Sequence, residues 1–270
     1  MISRRHALGI LAGATVLPVR VLANYAPPRS EIRADLARLF ADAGTAGTFV
    51  GYKVEDYLVI SGDSDRSGEP RLPASTFKIP NSLIALETGV VGDPDKDVFK
   101  WDGVKHDNEA WNKDHTLRSA IAVSAFPVYQ EIARRIGQER MQKYVDLLDY
   151  GNRNIGGGID QFWVSGDLRI DPVQQVDFVD RLRRRTLPVS KRSQDLVADI
   201  LPVTKVGDAV IRAKTGLTDS AHGSLGWLVG WAEKGGADTV FALNLDVREP
   251  RHVADRMAIS QACLKAIGAI

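Results

Sequence analysis

The chain has 270 residues, 44% hydrophobic and 26% charged, with a formal net charge of +1. That is enough apolar material for one large domain or two intimately packed subdomains. With no long run of one charge sign, nothing points to nucleic acid or an anionic membrane surface as a partner. The single cysteine, Cys263, excludes an intramolecular disulfide and, inside the apolar helical pattern AISQACLKAIG, reads as a small buried hydrophobe.

Residues 1–23, MISRRHALGILAGATVLPVRVLA, read as a secretory signal peptide. Ser3-Arg4-Arg5 precede an apolar run from Ala7 to Pro18, too short to span a membrane, and Val21-Leu22-Ala23 supplies a cleavage site. The adjacent arginines resemble a twin-arginine signal. The expectation is a cleaved leader over 1–23, a folded domain over 24–270, a periplasmic location and no membrane span in the mature chain. Cleavage would remove Arg4, Arg5 and Arg20 and no acid, leaving 32 basic residues against 34 acidic ones. Export without disulfides suits a core large enough to need no staple.

After Pro27-Pro28, EIRADLARLFADAG has helical spacing, and GTFVGYKV and DYLVISGD alternate as a strand pair. A helix is predicted to start near Ser75. Residues 88–112 look irregular. Leu117 to Gln142 predicts two helical pieces broken at Pro127. Tyr150 to Gly158 is a glycine-rich loop, and 172–201 is helical again. From Asp208 onward AVIRAKTG, GWLVGWAEK and DTVFALNLDV read as strands, and VADRMAISQACLKAI closes as a helix. Strands at both ends with helices between them predict an α+β fold. A central antiparallel sheet is formed by the N- and C-terminal segments and flanked by helices. A mostly helical inserted subdomain leaves a cleft against it.

The chemistry starts at Ser75-Thr76-Phe77-Lys78. On a helix, residues three apart share a face, so the Lys78 amine can sit beside the Ser75 hydroxyl. Serine is a weak nucleophile until a base takes its proton, and lysine is a base only when its charge is suppressed or masked. Such a pair should occur about once by chance in a chain of this length. Its meaning depends on four further elements. Ser124, at a helix break, is placed to relay a proton, or else caps the helix that follows Pro127. Tyr150-Gly151-Asn152 otherwise reads as a turn. Trp163 lies among apolar residues, where its indole N–H needs a partner. Lys214-Thr215-Gly216 ends a strand and suits a carboxylate-bearing ligand: a cation, a hydroxyl and a close backbone approach.

In this order the motifs resemble the penicillin-recognising serine enzymes. Within them, the chain looks like the class D (oxacillinase-type) β-lactamases. PASTFKIPNSLIALETG, DGVKHDNEAWNKDHTLRSAIAVSA, YGN, QFWVSGDLRI, AKTG, GWLVGW and FALNLD carry the likeness, from about residue 46 to the C-terminus. No E-x-x-L-N segment supplies a class A glutamate. Tyr150-Gly151-Asn152 stands where class C would have a catalytic tyrosine.

The resemblance implies a β-lactam substrate, a hydrolase, and Lys78 converted by carbon dioxide to N6-carboxylysine, its carbamate held by Trp163. It implies Ser75 as nucleophile, Ser124 as relay, and backbone N–H groups of Ser75 and Leu217 as the oxyanion hole. Lys214, Thr215, Gly216 and Arg256 would hold the substrate carboxylate, with Arg251 as the competing arginine. Lys78 is expected among Phe77, Trp163, Phe126 and Val164. Two positions depart from the pattern. Phe126 replaces a valine beside the lysine and could either dry the amine or block the deacylating water. Leu228 replaces a tryptophan and reads as a packing change. His6, His106, His115, His222 and His252 lack metal-ligand spacing. A β-lactam sensor that acylates without turnover, or a D,D-peptidase, would share the motifs. Monomer or homodimer is left open.

Overall fold

The computed structural model describes residues 29–56, 58–218 and 223–270. The leader assigned to residues 1–23, and His222, lie outside them. Seven strands form one sheet in the order β1-β3-β2-β7-β6-β5-β4. They are β1 (Arg29–Ile32), β2 (Gly47–Lys53), β3 (Leu58–Ser61), β4 (Val203–Val206), β5 (Ala209–Thr218), β6 (Ser224–Lys234) and β7 (Ala237–Val247). β2 and β7 pair antiparallel at the centre, joining the two ends of the chain as the sequence predicts.

The central strands are apolar on both faces because both faces are covered. Along β7, Val240 and Ala242 face one core, while Phe241, Leu243 and Leu245 face the other. On the second side lie α1 (Ala34–Asp42) and α9 (His252–Ala266), packing Leu36, Phe40, Ile259 and Cys263 against the sheet. Leu228 is buried in this layer. Cys263 is buried, which pushes its thiol up to about 12.

The first side carries α3 (Lys78–Glu87), α4 (Leu117–Ala122), α5 (Phe126–Ile136), α6 (Gln138–Leu148), α7 (Pro172–Arg183) and α8 (Lys191–Ile200). Here α7 lies against the sheet, and α3 packs between α5 and α8. Residues Lys78 to Leu86 of α3 are all buried. A further one-turn helix, α2 (Ser64–Ser67), follows β3.

Four local expectations are corrected. The segment predicted as one helix from Glu31 begins as β1, which pairs parallel with β3 and makes the sheet mixed. β4 was not predicted at all. Both are edge strands of four residues, and β1 is exposed along its length, so neither needs an apolar pattern. Leu117–Gln142 holds three helices instead of two. Pro127 is not the break: it sits in the first turn of α5, where its missing N–H has no partner to lose. The breaks fall at Val123-Ser124-Ala125 and at Gly137, whose φ of 81° is glycine territory.

Candidate active site

Ser75 lies in a short 3₁₀ turn, Ala74–Phe77, that runs directly into α3. The turn is entered through Ala74 at φ 50°, a left-handed conformation that costs a non-glycine residue ~1–2 kcal/mol. Surrounding bonds hold it: Ala74 N donates to Trp163 O at 2.9 Å. Phe77 anchors the turn in an aromatic cluster, stacked on Trp163 at 5.5 Å and edge-on to Phe162 at 4.9 Å and Tyr150 at 5.6 Å.

This anchoring places Lys78 inside the core. Its side chain is fully buried, and Nζ donates to Ser75 Oγ at 2.8 Å. The ring centres of Tyr129 and Phe126 lie 5.1 and 5.7 Å from Nζ. Burial, with the charge of Lys214 adding to it, holds the Lys78 pKa well below the ordinary lysine range. Nearby, the Trp163 indole N–H is buried with no hydrogen-bond partner. Phe126 sits edge-on to Trp163 at 6.1 Å, so it forms part of the wall around the amine.

The second wall comes from β5. Its pairing with β4 ends at Arg212, which leaves the edge from Lys214 to Leu217 free to face the Ser75 turn. Gly216 makes the approach possible: a Cβ there would stand 3.1 Å from Pro73 O, Thr76 Cγ2 and Trp227 Cβ alike. Lys214 is buried, and its Nζ donates to Ser124 Oγ at 3.1 Å, Thr215 O at 3.0 Å and Thr215 Oγ1 at 3.2 Å. Burial and the Arg256 charge bring its pKa down to about 7.

Ser124 caps nothing: the residue before α5 is Ala125, which makes no side-chain cap. Ser124 has φ 56°, and its hydroxyl is turned to Lys214. Arg256 donates from Nη1 to Gly216 O at 2.5 Å, bracing the strand edge, and burial brings its pKa down to about 10. Arg251 is elsewhere, paired with Glu249 at 2.8 Å on the surface.

Ser75, Phe126 and Val164 line a cleft of about 270 Å³ together with Leu217, Thr218, Trp111, Gln161 and Ser165. The last three, and Thr218, were not singled out from sequence. Trp111, Gln161 and Ser165 stood inside quoted motifs, and Thr218 did not. Tyr150 is fully buried with its phenol pushed up by burial, and it donates to Gln175 Oε1 at 3.5 Å, so it has no access to substrate. Gly151 is required there: a Cβ would meet Arg169 O at 2.1 Å, at φ 56°. His115 and His252 are tied to backbone carbonyls of Ala110 and Ala43. Among the described residues no group of three or more His, Cys, Asp or Glu could hold a metal ion.

A cleft-lining serine bonded to a buried lysine at a helix start, faced by a second lysine on a strand edge, suits acyl transfer. The profile of the penicillin binding protein transpeptidase domain matches residues 61–267. The chain is 42% identical over 235 residues to β-lactamase OXA-5 of Pseudomonas aeruginosa, covering 86% of this chain and 87% of that one. It is also 42% identical over 226 residues to β-lactamase OXA-48 of Klebsiella pneumoniae, covering 84% and 85%. The crystal structure of FUS-1 (OXA-85), a class D β-lactamase from Fusobacterium nucleatum subsp. polymorphum, superposes with a TM-score of 0.85 at 36% identity over 89% of this chain and all of that one. The chain belongs to the class D β-lactamases. For a class D β-lactamase, the two buried lysines, one bonded to Ser75 and the other to Ser124, are the features whose chemistry needs explaining.

Proposed function

We propose that this class D β-lactamase opens the β-lactam ring with Ser75 as nucleophile and Lys78 as the residue that takes its proton. The observation that carries the reading is the 2.8 Å contact between Lys78 Nζ and Ser75 Oγ, with the amine's pKa held well below the ordinary lysine range by burial. Ser75 Oγ forms a bond to the lactam carbonyl carbon, the ring C–N bond breaks, and the ring nitrogen receives a proton through Ser124. Lys214 orients that hydroxyl through its 3.1 Å bond. The backbone N–H groups of Ser75 and Leu217 stabilise the oxyanion. Lys214, Thr215 and Gly216 bind the substrate carboxylate, and Arg256 adds positive potential while bracing the Gly216 carbonyl. Water then hydrolyses the Ser75 ester and releases the product.

The site fits an N-carboxylated Lys78. A neutral amine is what captures carbon dioxide, and the unpartnered Trp163 N–H and the Ser75 hydroxyl are the donors that would hold the product. Bound there, carbon dioxide supplies a carboxylate-like base for both half-reactions. The names of the relatives favour turnover over the sensor and D,D-peptidase readings. Residues 1–23 support export to the periplasm by their sequence, and among the described residues no helix is long and apolar enough to cross a membrane.

The test is hydrolysis of a chromogenic β-lactam with and without bicarbonate, with carbon-13 NMR of protein equilibrated in labelled bicarbonate. Turnover should rise with bicarbonate, a carbamate resonance should appear, and Ser75→Ala and Lys78→Ala should abolish hydrolysis. Parental turnover in Lys78→Ala would sink the role of the lysine. No resonance and no bicarbonate effect would sink the carbamate alone.

A further inference from the structure

Gln175, on α7, takes no part in the chemistry above, yet it is 1% exposed and its amide points at the turn that carries Ser75. A buried primary amide must place its donors and its acceptor or leave them unsatisfied. Gln175 Nε2 donates to Thr76 Oγ1 at 2.8 Å, and its Oε1 accepts from Tyr150 Oη at 3.5 Å. The Thr76 hydroxyl in turn donates to Pro73 O at 2.7 Å, where Thr76 N also donates at 3.2 Å.

Pro73 O and Ala74 N belong to one peptide group, and both are held: the carbonyl by Thr76, the N–H by Trp163 O. This is the peptide that sets Ala74 at φ 50°, immediately before Ser75. Strained backbone of this kind persists only where its surroundings over-determine it. Gln175 also fixes the direction of the chain of bonds. By donating to Thr76 Oγ1, and with the Tyr150 hydroxyl turned to Gln175 Oε1, it directs the Thr76 proton to Pro73 O. An acceptor in place of that N–H would draw the Thr76 proton away and leave Pro73 O to the longer bond from Thr76 N alone.

We propose that Gln175 is a positioning residue: acting through Thr76, it locks the Pro73–Ala74 peptide in the orientation that aims Ser75 Oγ at the substrate carbonyl. The proposal rests on the reading of Ser75 as nucleophile. It assigns a kinetic role in acylation to a side chain that touches no substrate.

The experiment measures the second-order acylation constant per active site, with sites counted by covalent β-lactam titration in a mass spectrometer, alongside the melting temperature. In Gln175→Leu the constant per titrated site should fall at least about tenfold, the scale on which a slightly misplaced group slows a reaction. Thr76→Val should show a similar fall, and the double variant should be within about twofold of the worse single one, because both remove the same chain of bonds. Gln175→Glu is the discriminating variant. A neutral carboxyl can donate and accept as the amide does, whereas a carboxylate cannot donate. Acylation by Gln175→Glu should therefore recover as pH falls and be lost as pH rises, a limb absent from the parent.

A residue that merely fills space would lower the melting temperature and the number of titrated sites while leaving the constant per site and the pH profile unchanged. A constant per site within about twofold of the parent in Gln175→Leu, or additive losses in the double variant, would overturn the proposal. So would a Gln175→Glu profile parallel to the parent's. If Gln175→Leu does not fold, the near-isosteric Gln175→Glu profile decides alone. Ser75→Ala separates the two claims. Acylation surviving in Ser75→Ala refutes the nucleophile reading, whereas its loss there, with Gln175→Leu unaffected, refutes only the clamp.

Discussion

Lys78 and Lys214 are both buried lysines, each bonded to a serine hydroxyl, with opposite surroundings. Lys78 has one hydroxyl and two aromatic faces for company, and an unpartnered indole N–H belongs to the aromatic cluster beside it. Lys214 has three oxygens around its amine, and its pKa stays at about 7. Burial lowers the pKa of both, helped by the Lys214 charge at Lys78 and by the Arg256 charge at Lys214. The drier amine suits taking a proton or capturing carbon dioxide. The wetter one keeps enough charge near neutral pH to attract a carboxylate. Helix packing sets the first environment and a free strand edge the second.

Exchanging each lysine for methionine breaks the comparison most directly. Lys78→Met should lower turnover by about 10³-fold or more, the scale of a lost general base. Lys214→Met should act mainly through KM, by about tenfold to a hundredfold, as expected for a charge-assisted contact. Steady-state kinetics on a penicillin separates them, and equal losses in turnover would merge their roles. Trp163→Phe should come next. It keeps the ring stack on Phe77 but removes the N–H, so the bicarbonate concentration for half-maximal activity should rise about tenfold, on the scale of a hydrogen bond to a charged group.

The pH dependence sharpens the contrast further. Below a pH of about 7 the free enzyme carries Lys214 protonated; above it the cation is lost. For a carboxylate-bearing substrate, kcat/KM should therefore decline on the alkaline side through that pH. Lys214→Arg should move the decline well upward. A decline that stays put in that variant would assign it to another group. The smallest effect concerns stability. A lysine whose pKa is depressed on folding binds a proton only in the unfolded chain, so stability rises as pH climbs toward the ordinary lysine range. In bicarbonate-free buffer Lys78→Met should thus be more stable than the parent by ~1–3 kcal/mol near pH 7 and by less near pH 10, on the scale of burying an uncompensated polar group. Chemical denaturation at both pH values measures it.

The long apolar runs of β6 and β7, the α3 helix and the serine and lysine motifs were legible in the sequence because each rests on local pattern or on residue type. The composition and those motifs were also sufficient to bring Ser75, Lys78, Ser124 and Lys214 into one hypothesis. Only the tertiary structure decided the rest. The four-residue edge strands carry no apolar signature. The left-handed backbone at Ala74 and Ser124 is imposed by partners distant in the chain, Trp163 and Lys214. Gln175 reads as one more polar residue on a helix until α7 brings it 2.8 Å from Thr76, 99 positions away. Above all, the sequence names two lysines but not their charge. A lysine's proton affinity follows from how much water and how many oxygens surround it, and that is fixed only when the helices and the strand edge close around the cleft.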